Sequence, residues 1–251
     1  MAKDHDAMLE MLREATADLR CDHALYYRRR SEPPILLKNC DLFLSASIIK
    51  IPILFAWANL EQSGAVSSDE MCDLDAEMQI QGAGFSWLLR QRRVPYADVL
   101  LWMMTVSDNL CANLVIRRVG IERLNATFRG LGLPDARVER KLMDYEARAR
   151  GLENRVSAAD CVRLYELRDA LPAEQRAWIE PVLLWNTDGK LWLRNIPRDT
   201  IDFYHKTGNI PGVLHDWGYT KDADAFLLTQ GARDEPEVYR LLDRLGPALL
   251  S

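Results

Sequence analysis

The spacing of apolar residues gives the two ends of the chain a different character from its middle. At the N-terminus, apolar residues recur at helical spacing over residues 6–19. Short β-prone runs follow this helix, and others recur before a closing amphipathic helix over 235–250. The predicted strands are 24–27, 35–37, 201–207, 217–220 and 225–229.

The middle of the chain shows mainly helical periodicity. From Ile48 to Leu60 the sequence is almost wholly apolar, so a helix there would be buried on most of its faces. Two further helical runs, 95–103 and 110–120, are interrupted by the polar tripeptide Ser107-Asp108-Asn109. Later helices are predicted at 121–128, 157–167 and 174–184, and the second of these opens with a capping-box pattern.

Strands at both ends and helices between them predict an α/β (α+β) fold. We expect one antiparallel sheet flanked by the terminal helices, formed by residues 1–46 and 191–251, together with an all-helical lobe over 47–190. The two lobes are predicted to form one structural unit, with the active site between them, where pockets preferentially form.

The helix after Ser47 contains one lysine, Lys50, in an otherwise apolar run. Burying an ammonium group is costly unless it is partnered. A spacing of three residues places the Ser47 hydroxyl and the Lys50 amine on one helix face, which suits a nucleophile beside a general base. An ordinary alternative is equally compatible with the sequence: Ser47 caps the helix and Lys50 extends its amine to solvent.

Two other polar motifs follow in the chain. Ser107-Asp108-Asn109 lies between two apolar helices, so its side chains are expected in the interior or as the N-cap of the second helix. Lys206-Thr207-Gly208 ends a predicted strand. Each motif is weak alone, but their order and their positions at a helix start, an interhelical loop and an inner strand form a specific set.

This set resembles the signature of class A β-lactamases and penicillin-binding proteins, a family of serine acyl-transfer enzymes, over about residues 24–245. The resemblance implies that Ser47 is the acylated nucleophile and that Lys50 takes its proton, directly or through water. It further implies that Ser107 relays the proton to the leaving group.

The same resemblance assigns the substrate-binding residues. Asn109 would bind the substrate amide, and Lys206 and Thr207 of the Lys-Thr-Gly motif would hold the anionic end of the substrate. The oxyanion hole would be formed by the backbone N–H groups of Ser47 and of Asn209, which follows Gly208.

In class A enzymes a glutamate on a large loop activates the deacylating water. Glu146 falls at that place in this sequence, and Asn113 matches the asparagine that braces the loop. A surface carboxylate is the alternative for Glu146, because Ala147 and Arg150 stand where the family has proline and asparagine. No Lys or Arg lies between Asn209 and Asp216, so recognition of a substrate carboxylate would rest on Lys206, Thr207 and His215.

Composition excludes several other classes. A net charge of -5 argues against nucleic acid as a partner, and no uncharged stretch is long enough for a membrane span. The acidic opening lacks the basic region of a signal peptide, so we expect a cytoplasmic protein, or a periplasmic or secreted one if an export signal precedes it. Five irregularly spaced cysteines are expected to be reduced thiols, mostly buried.

The predicted function is therefore a serine hydrolase that acts on an amide or ester through an acyl-enzyme, with β-lactam hydrolysis the leading reaction. One alternative is a β-lactam-binding or sensor module that is acylated but not turned over. Another is a cytoplasmic esterase or peptidase. The partner is a small-molecule substrate, no metal or organic cofactor is expected because the four histidines lack ligand spacing, and the sequence does not indicate an oligomeric state.

Overall fold

The computed structural model describes residues 2–250, and the chain forms two compact units. One unit comprises Met1–Ile48 with Asp188–Ser251, and the other comprises Ile49–Thr187. Residues 1 and 251, which the predicted sheet lobe includes, lie outside the described residues. The first unit contains an antiparallel sheet and the second contains most of the helices, so the predicted fold class is confirmed.

The first unit is built on a five-stranded sheet in which all neighbouring strands are antiparallel. The strands of this unit are β1 (Asp22–Arg29), β2 (Ile35–Lys38), β3 (Leu42–Leu44), β7 (Tyr204–Ile210), β8 (Val213–Tyr219) and β9 (Ala223–Gln230). The sheet contains five of these strands, all except β3, in the order β2-β1-β9-β8-β7. This order makes β7 an edge strand. The strand that carries the Lys-Thr-Gly motif therefore has one side without a neighbour in this sheet.

The boundaries of β7 differ from the prediction. The sequence predicts a strand over 201–207, whereas β7 begins at Tyr204 and continues to Ile210. Its pairing with β8 extends to Ile210 and Val213, so the two strands are joined by a two-residue turn, Pro211-Gly212. Glycine and proline lower the β-propensity of this segment, but Gly212 has a φ of 74°, which suits a tight hairpin turn.

The terminal helices α1 (Ala2–Thr16) and α9 (Glu235–Leu250) share an apolar core with the sheet. Leu12 of α1 and Leu227 of β9 are both buried in this core. The α9 residues with helical spacing that the sequence indicates are also buried there: Val238, Leu241, Leu242 and Leu245. Burying a leucine side chain contributes about 1.5–3 kcal/mol, so this core holds the sheet and the terminal helices together.

The second unit is mainly helical. Its helices are α2 (Lys50–Gln62), α3 (Tyr96–Thr105), α4 (Asn109–Val119), α5 (Ile121–Gly130), α6 (Tyr145–Ala149), α7 (Ala158–Asp169) and α8 (Ala173–Leu184), and its strands are β4 (Met71–Asp73), β5 (Arg93–Pro95) and β6 (Arg155–Ser157). β4 pairs antiparallel with β5, although the sequence predicts no strand at either place and assigns Pro95, the last residue of β5, to the helical run 95–103. The predicted capping box of α7 is confirmed, because Ser157 and Asp160 exchange side-chain and backbone hydrogen bonds.

Helix α2 is buried along most of its length, as its apolar sequence predicts. Pro52 is tolerated because it lies in the first turn, where its missing N–H would have no intrahelical partner. Among the described residues no helix is long and apolar enough to cross a bilayer. The five cysteines are free thiols, of which Cys72, Cys111 and Cys161 are buried.

Candidate active site

Ser47 lies in a short 3-10 turn, Ala46–Ile49, directly before α2. Ala46 has a φ of 43°, a left-handed conformation that is uncommon for a residue other than glycine. Residues held in such conformations cluster at active sites. The N-cap of α2 is Ile49, which makes no side-chain cap bond, so Ser47 is not the helix cap that the sequence left as an alternative.

The backbone of Ser47 lies against Gly208 of β7. A Cβ atom at position 208 would lie 3.1 Å from the Ser47 nitrogen and 3.0 Å from the Ile48 nitrogen, which is tighter than nine in ten real Cβ contacts. Glycine therefore lets β7 pass this close to the serine turn without displacing its backbone. The predicted oxyanion donors are the N–H groups of Ser47 and Asn209. Gly208, which directly precedes Asn209, lies against the Ser47 amide.

Lys50 is fully buried at the start of α2, which excludes the solvent-exposed alternative. Its Nζ atom donates to the Ser107 carbonyl oxygen at 2.7 Å, to Ser107 Oγ at 3.1 Å and to Asn109 Oδ1 at 2.8 Å. All three of these acceptors are neutral. The amine is thus hydrogen-bonded to Ser107, the predicted proton relay, and to Asn109, the predicted substrate-binding residue.

The loop that carries Ser107 has a strained backbone and a buried anchor. Ser107 has a φ of 56°, again in the left-handed region. Asp108 is buried beside it and is the N-cap of α4, accepting from the Cys111 N–H at 3.0 Å. The same carboxylate accepts from the N–H groups of Phe85 and Ser86 and from Ser86 Oγ, each at 2.8 Å. Asp108 therefore resolves the capping alternative and also fixes the 84–86 loop.

Sequence reasoning missed the role of Asp108 in holding this second loop. A Cβ atom on Gly84 would lie only 2.2 Å from Asp108 Oδ2, so the loop can approach the carboxylate only with glycine there. The Gly-Ala-Gly run at 82–84 was the available signal, since glycines permit close backbone approach. Without the structure, nothing connected that run to Asp108.

The Lys-Thr-Gly strand has carboxylates among its partners. Lys206 is fully buried, and its Nζ atom donates to the Thr207 carbonyl oxygen at 3.0 Å. Thr207 Oγ1 donates to Asp188 Oδ2, also at 3.0 Å. Burial lowers the pKa of Lys206 to about 8, and the charges of Asp188 and Asp216 partly oppose that shift.

His205 of β7 and Asp216 of the neighbouring strand β8 form a buried pair. His205 Nδ1 and Asp216 Oδ1 are 2.9 Å apart, and both residues are almost completely inaccessible to solvent. The second carboxylate oxygen of Asp216 accepts from the Trp192 N–H at 3.3 Å. Burial raises the pKa of Asp216, while His205 lowers it. Because Asp216 pairs with Thr207 across β7 and β8, this pair lies beside Thr207 of the motif, on the same face of the sheet.

The sequence model of the beta-lactamase enzyme family matches residues 17–251. The chain belongs to the beta-lactamase enzyme family. It is therefore a β-lactamase-like serine hydrolase, as the three motifs predict. A comparison with curated proteins finds no match.

Solved structures of this type have the same fold. PBP-A is 20% identical, with a TM-score of 0.80 over 96% of this chain and 95% of that chain. A β-lactamase from Sphaerobacter thermophilus is also 20% identical, with a TM-score of 0.80 over 95% and 94% of the two chains. An ancestral class A β-lactamase is 19% identical, with a TM-score of 0.81 over 94% and 96%. At these identities the likeness establishes the fold alone.

The loop expected to carry the deacylating base is braced as predicted, but Glu146 does not lie at the braced position. Asn113 does brace the loop, since its side chain exchanges two hydrogen bonds with the backbone of Leu142, at 3.1 and 2.7 Å. Glu146, in contrast, lies four residues further on and is exposed on α6. The loop side chain that lies with Asn109 beside Gly82 is Met143: a Cβ atom on Gly82 would lie 3.2 Å from Asn109 Nδ2 and 3.3 Å from Met143 Cε.

His215 does not have the role that the resemblance suggested. Its Nδ1 atom accepts from the Thr229 N–H at 3.1 Å, so Nε2 carries the proton and donates to the Leu44 carbonyl oxygen at 2.8 Å. Burial lowers the pKa of His215 to about 4, so the ring is neutral at pH 7. The expectation that His215 helps to bind a substrate carboxylate is therefore wrong, because both ring nitrogens are used within the fold.

Each unit brings together part of the predicted site. In the helical unit, Lys50, Ser107 and Asn109 form one hydrogen-bonded cluster. In the sheet unit, Gly208 lies against Ser47, and Lys206 and Thr207 precede it on the same strand. Asn209 follows and is exposed. The catalytic and binding roles of these residues stay predictions, as does the placement of the site between the lobes.

Proposed function

We propose that this family member forms an acyl-enzyme on Ser47 and that a β-lactam, or a related amide or ester, is its substrate. The observation that carries the proposal is the hydrogen bonding of the buried Lys50 amine to Ser107 and Asn109. A buried lysine that is bonded to the side chain of a predicted proton relay is arranged for proton transfer.

In the proposed reaction, Ser47 Oγ attacks the carbonyl carbon while its proton passes to Lys50, directly or through water. The negative charge on the carbonyl oxygen is stabilised by the N–H groups of Ser47 and Asn209, and losing one such donor costs about 10²–10³ in rate. The bond from carbon to nitrogen or to the leaving oxygen then breaks, Ser107 gives its proton to the leaving group, and Lys50 returns the proton taken from Ser47 to Ser107 Oγ, which lies 3.1 Å from the amine. Water finally hydrolyses the ester on Ser47.

β-lactams are the leading substrate class, and a class A type of reaction is the leading mechanism. A variant of PBP-A, which shares this fold at 20% identity, has been solved as an acyl-enzyme complex with penicillin G. A protein of this fold can thus form an acyl-enzyme with a β-lactam. This likeness supports the proposal that Ser47 is acylated by a β-lactam.

A second candidate function is favoured by one observation. Glu146 is exposed on α6, and the loop segment beside Asn109 and Asn113 carries Met143 and Leu142. Neither of these side chains can act as a base. A chain that acylates Ser47 without an efficient base for the second step would retain the adduct, as a β-lactam-binding or sensor protein does.

The test combines a chromogenic cephalosporin with intact-mass measurement. We expect a covalent adduct on wild-type protein. If the acyl-enzyme turns over, the amount of coloured product should exceed one equivalent of protein, and if it does not, the amount should stop at one equivalent. Ser47→Ala removes only the nucleophilic oxygen and should abolish adduct and colour, whereas the matched variant Ser31→Ala, at an exposed serine, should behave as wild type. An adduct that persists in Ser47→Ala would contradict the proposal.

A further inference from the structure

The hydroxyl of Thr207 is occupied by a carboxylate of the protein itself. Thr207 Oγ1 donates to Asp188 Oδ2 at 3.0 Å, and Asp188 is half-buried in the segment between α8 and β7. A threonine hydroxyl has a single proton to donate. While Asp188 accepts that proton, Thr207 can only accept a hydrogen bond from a substrate.

The charges around this hydroxyl are unfavourable for a second carboxylate. Lys206 is the cation of the motif, and both Asp188 and Asp216 act on it electrostatically. Between Thr207 and Thr220 the sequence contains no Lys or Arg, and His215 is neutral with both ring nitrogens bonded inside the fold. Lys206 thus has two protein carboxylates near it before any substrate arrives, and one of them, Asp216, is also paired with His205.

We propose that Asp188 is a specificity-determining residue that selects substrates whose group at Thr207 is uncharged or cationic. This inference rests on the proposed function, because it concerns the substrate of the same acylation site. The favoured class is an amide or ester that presents a hydrogen-bond donor, such as a carboxamide or an amine, where a penicillin presents its carboxylate. A carboxylate there would meet the like charge of Asp188 in a partly buried position, which is costly.

The test compares two probes that differ in this charge, benzylpenicillin and its methyl ester. We expect wild-type protein to be acylated by the ester at least about tenfold faster than by the acid, since like charges at close range cost several-fold in binding. Asp188→Asn keeps the size of the side chain and an oxygen that can accept from Thr207. It should raise the rate with the acid about tenfold and change the rate with the ester less than twofold.

A matched control separates this local effect from a change in net charge. Asp202→Asn removes one negative charge from an exposed position in the same unit and should leave the ratio of the two rates unchanged. Faster acylation by the acid than by the ester in wild-type protein would overturn the inference. A ratio that stays at its wild-type value in Asp188→Asn would overturn it as well.

A binding measurement keeps this inference separate from the proposed function. If neither probe leaves an adduct on Ser47, the proposed acylation by β-lactams is contradicted, and binding then decides the role of Asp188. We expect the ester to raise the melting temperature of Ser47→Ala protein more than the acid does. A larger shift with the acid would overturn the inference, whatever the chemistry at Ser47.

Discussion

Two buried lysines, one in each unit, are held in different ways. Lys50 at the start of α2 and Lys206 in β7 are both fully inaccessible to solvent. The amine of Lys50 donates to a carbonyl, a hydroxyl and an amide oxygen. The amine of Lys206 donates to a carbonyl oxygen, and the charges of Asp188 and Asp216 act to raise its pKa.

The difference agrees with the separate roles that the motifs predict for the two lysines. Neutral acceptors orient an amine without holding a proton on it by charge, which suits a group that must gain and release protons. Nearby carboxylates favour the charged form of an amine, which suits a group that must remain a cation. Proton transfer by Lys50 and electrostatic binding by Lys206 stay predictions, which the following experiments test.

Replacing the first lysine should have the largest effect. Lys50→Ala is expected to reduce the rate of Ser47 acylation by about 10²–10⁴, the usual contribution of a general base. Stability should also fall by about 1–3 kcal/mol, because the oxygen atoms of Ser107 and Asn109 lose the donor that they have in the native protein. Rates of adduct formation by mass spectrometry and urea unfolding check both parts. Lys190→Ala, at an exposed lysine, is the matched control, and native-rate acylation in Lys50→Ala would place the base elsewhere.

The sequence could identify both lysines but not their partners. The Ser-x-x-Lys and Lys-Thr-Gly motifs, the sheet with terminal helices and the capping box of α7 all follow from local spacing. The contact of Thr207 with Asp188 and that of Asp108 with the 84–86 loop join residues about twenty positions apart. Such contacts are fixed by packing, and no periodicity in the sequence encodes them.

The exposure of Glu146 on α6 could not be predicted from the motifs for a related reason. Sequence spacing placed a carboxylate near the expected distance from the Ser-Asp-Asn tripeptide, and it also indicated the brace, Asn113. The backbone that Asn113 holds belongs to Leu142. An irregular loop has no period that fixes its register, so the residue that Asn113 holds could not be identified from the sequence alone.

The second prediction uses pH to sharpen the contrast between the lysines. Burial lowers the pKa of Lys206 from 10.5 to about 8. Between these values the unfolded chain binds more protons than the folded chain, so the free energy of unfolding should rise with pH across this window. The gain attributable to this group is about 3 kcal/mol by pH 10.5.

The measurement is urea unfolding of wild-type protein and Lys206→Met at a series of pH values from 8 to 10.5. Other groups titrate in both proteins, so the difference between the two free energies isolates Lys206. We expect this difference to grow in favour of wild type as pH rises. A difference that stays constant with pH would mean that Lys206 keeps its ordinary pKa. Burial would then not lower the pKa of this lysine.

The smallest effect is expected at Glu146, and it tests whether a carboxylate takes part in the chemistry of the Lys50 cluster. If Glu146 were the base for deacylation, Glu146→Gln would leave acylation fast while the adduct accumulated. Its exposure on α6 and the bracing of Leu142 instead lead us to expect acylation and adduct lifetime within about twofold of wild type, the range of an ordinary surface substitution. Time-resolved intact mass after a single addition of benzylpenicillin measures both steps, with Glu122→Gln, another exposed glutamate of the same unit, as the control. Accumulation of adduct in Glu146→Gln alone would restore Glu146 as the base and require the loop to move during the reaction, because the carboxylate would then have to reach the ester on Ser47 from an exposed position.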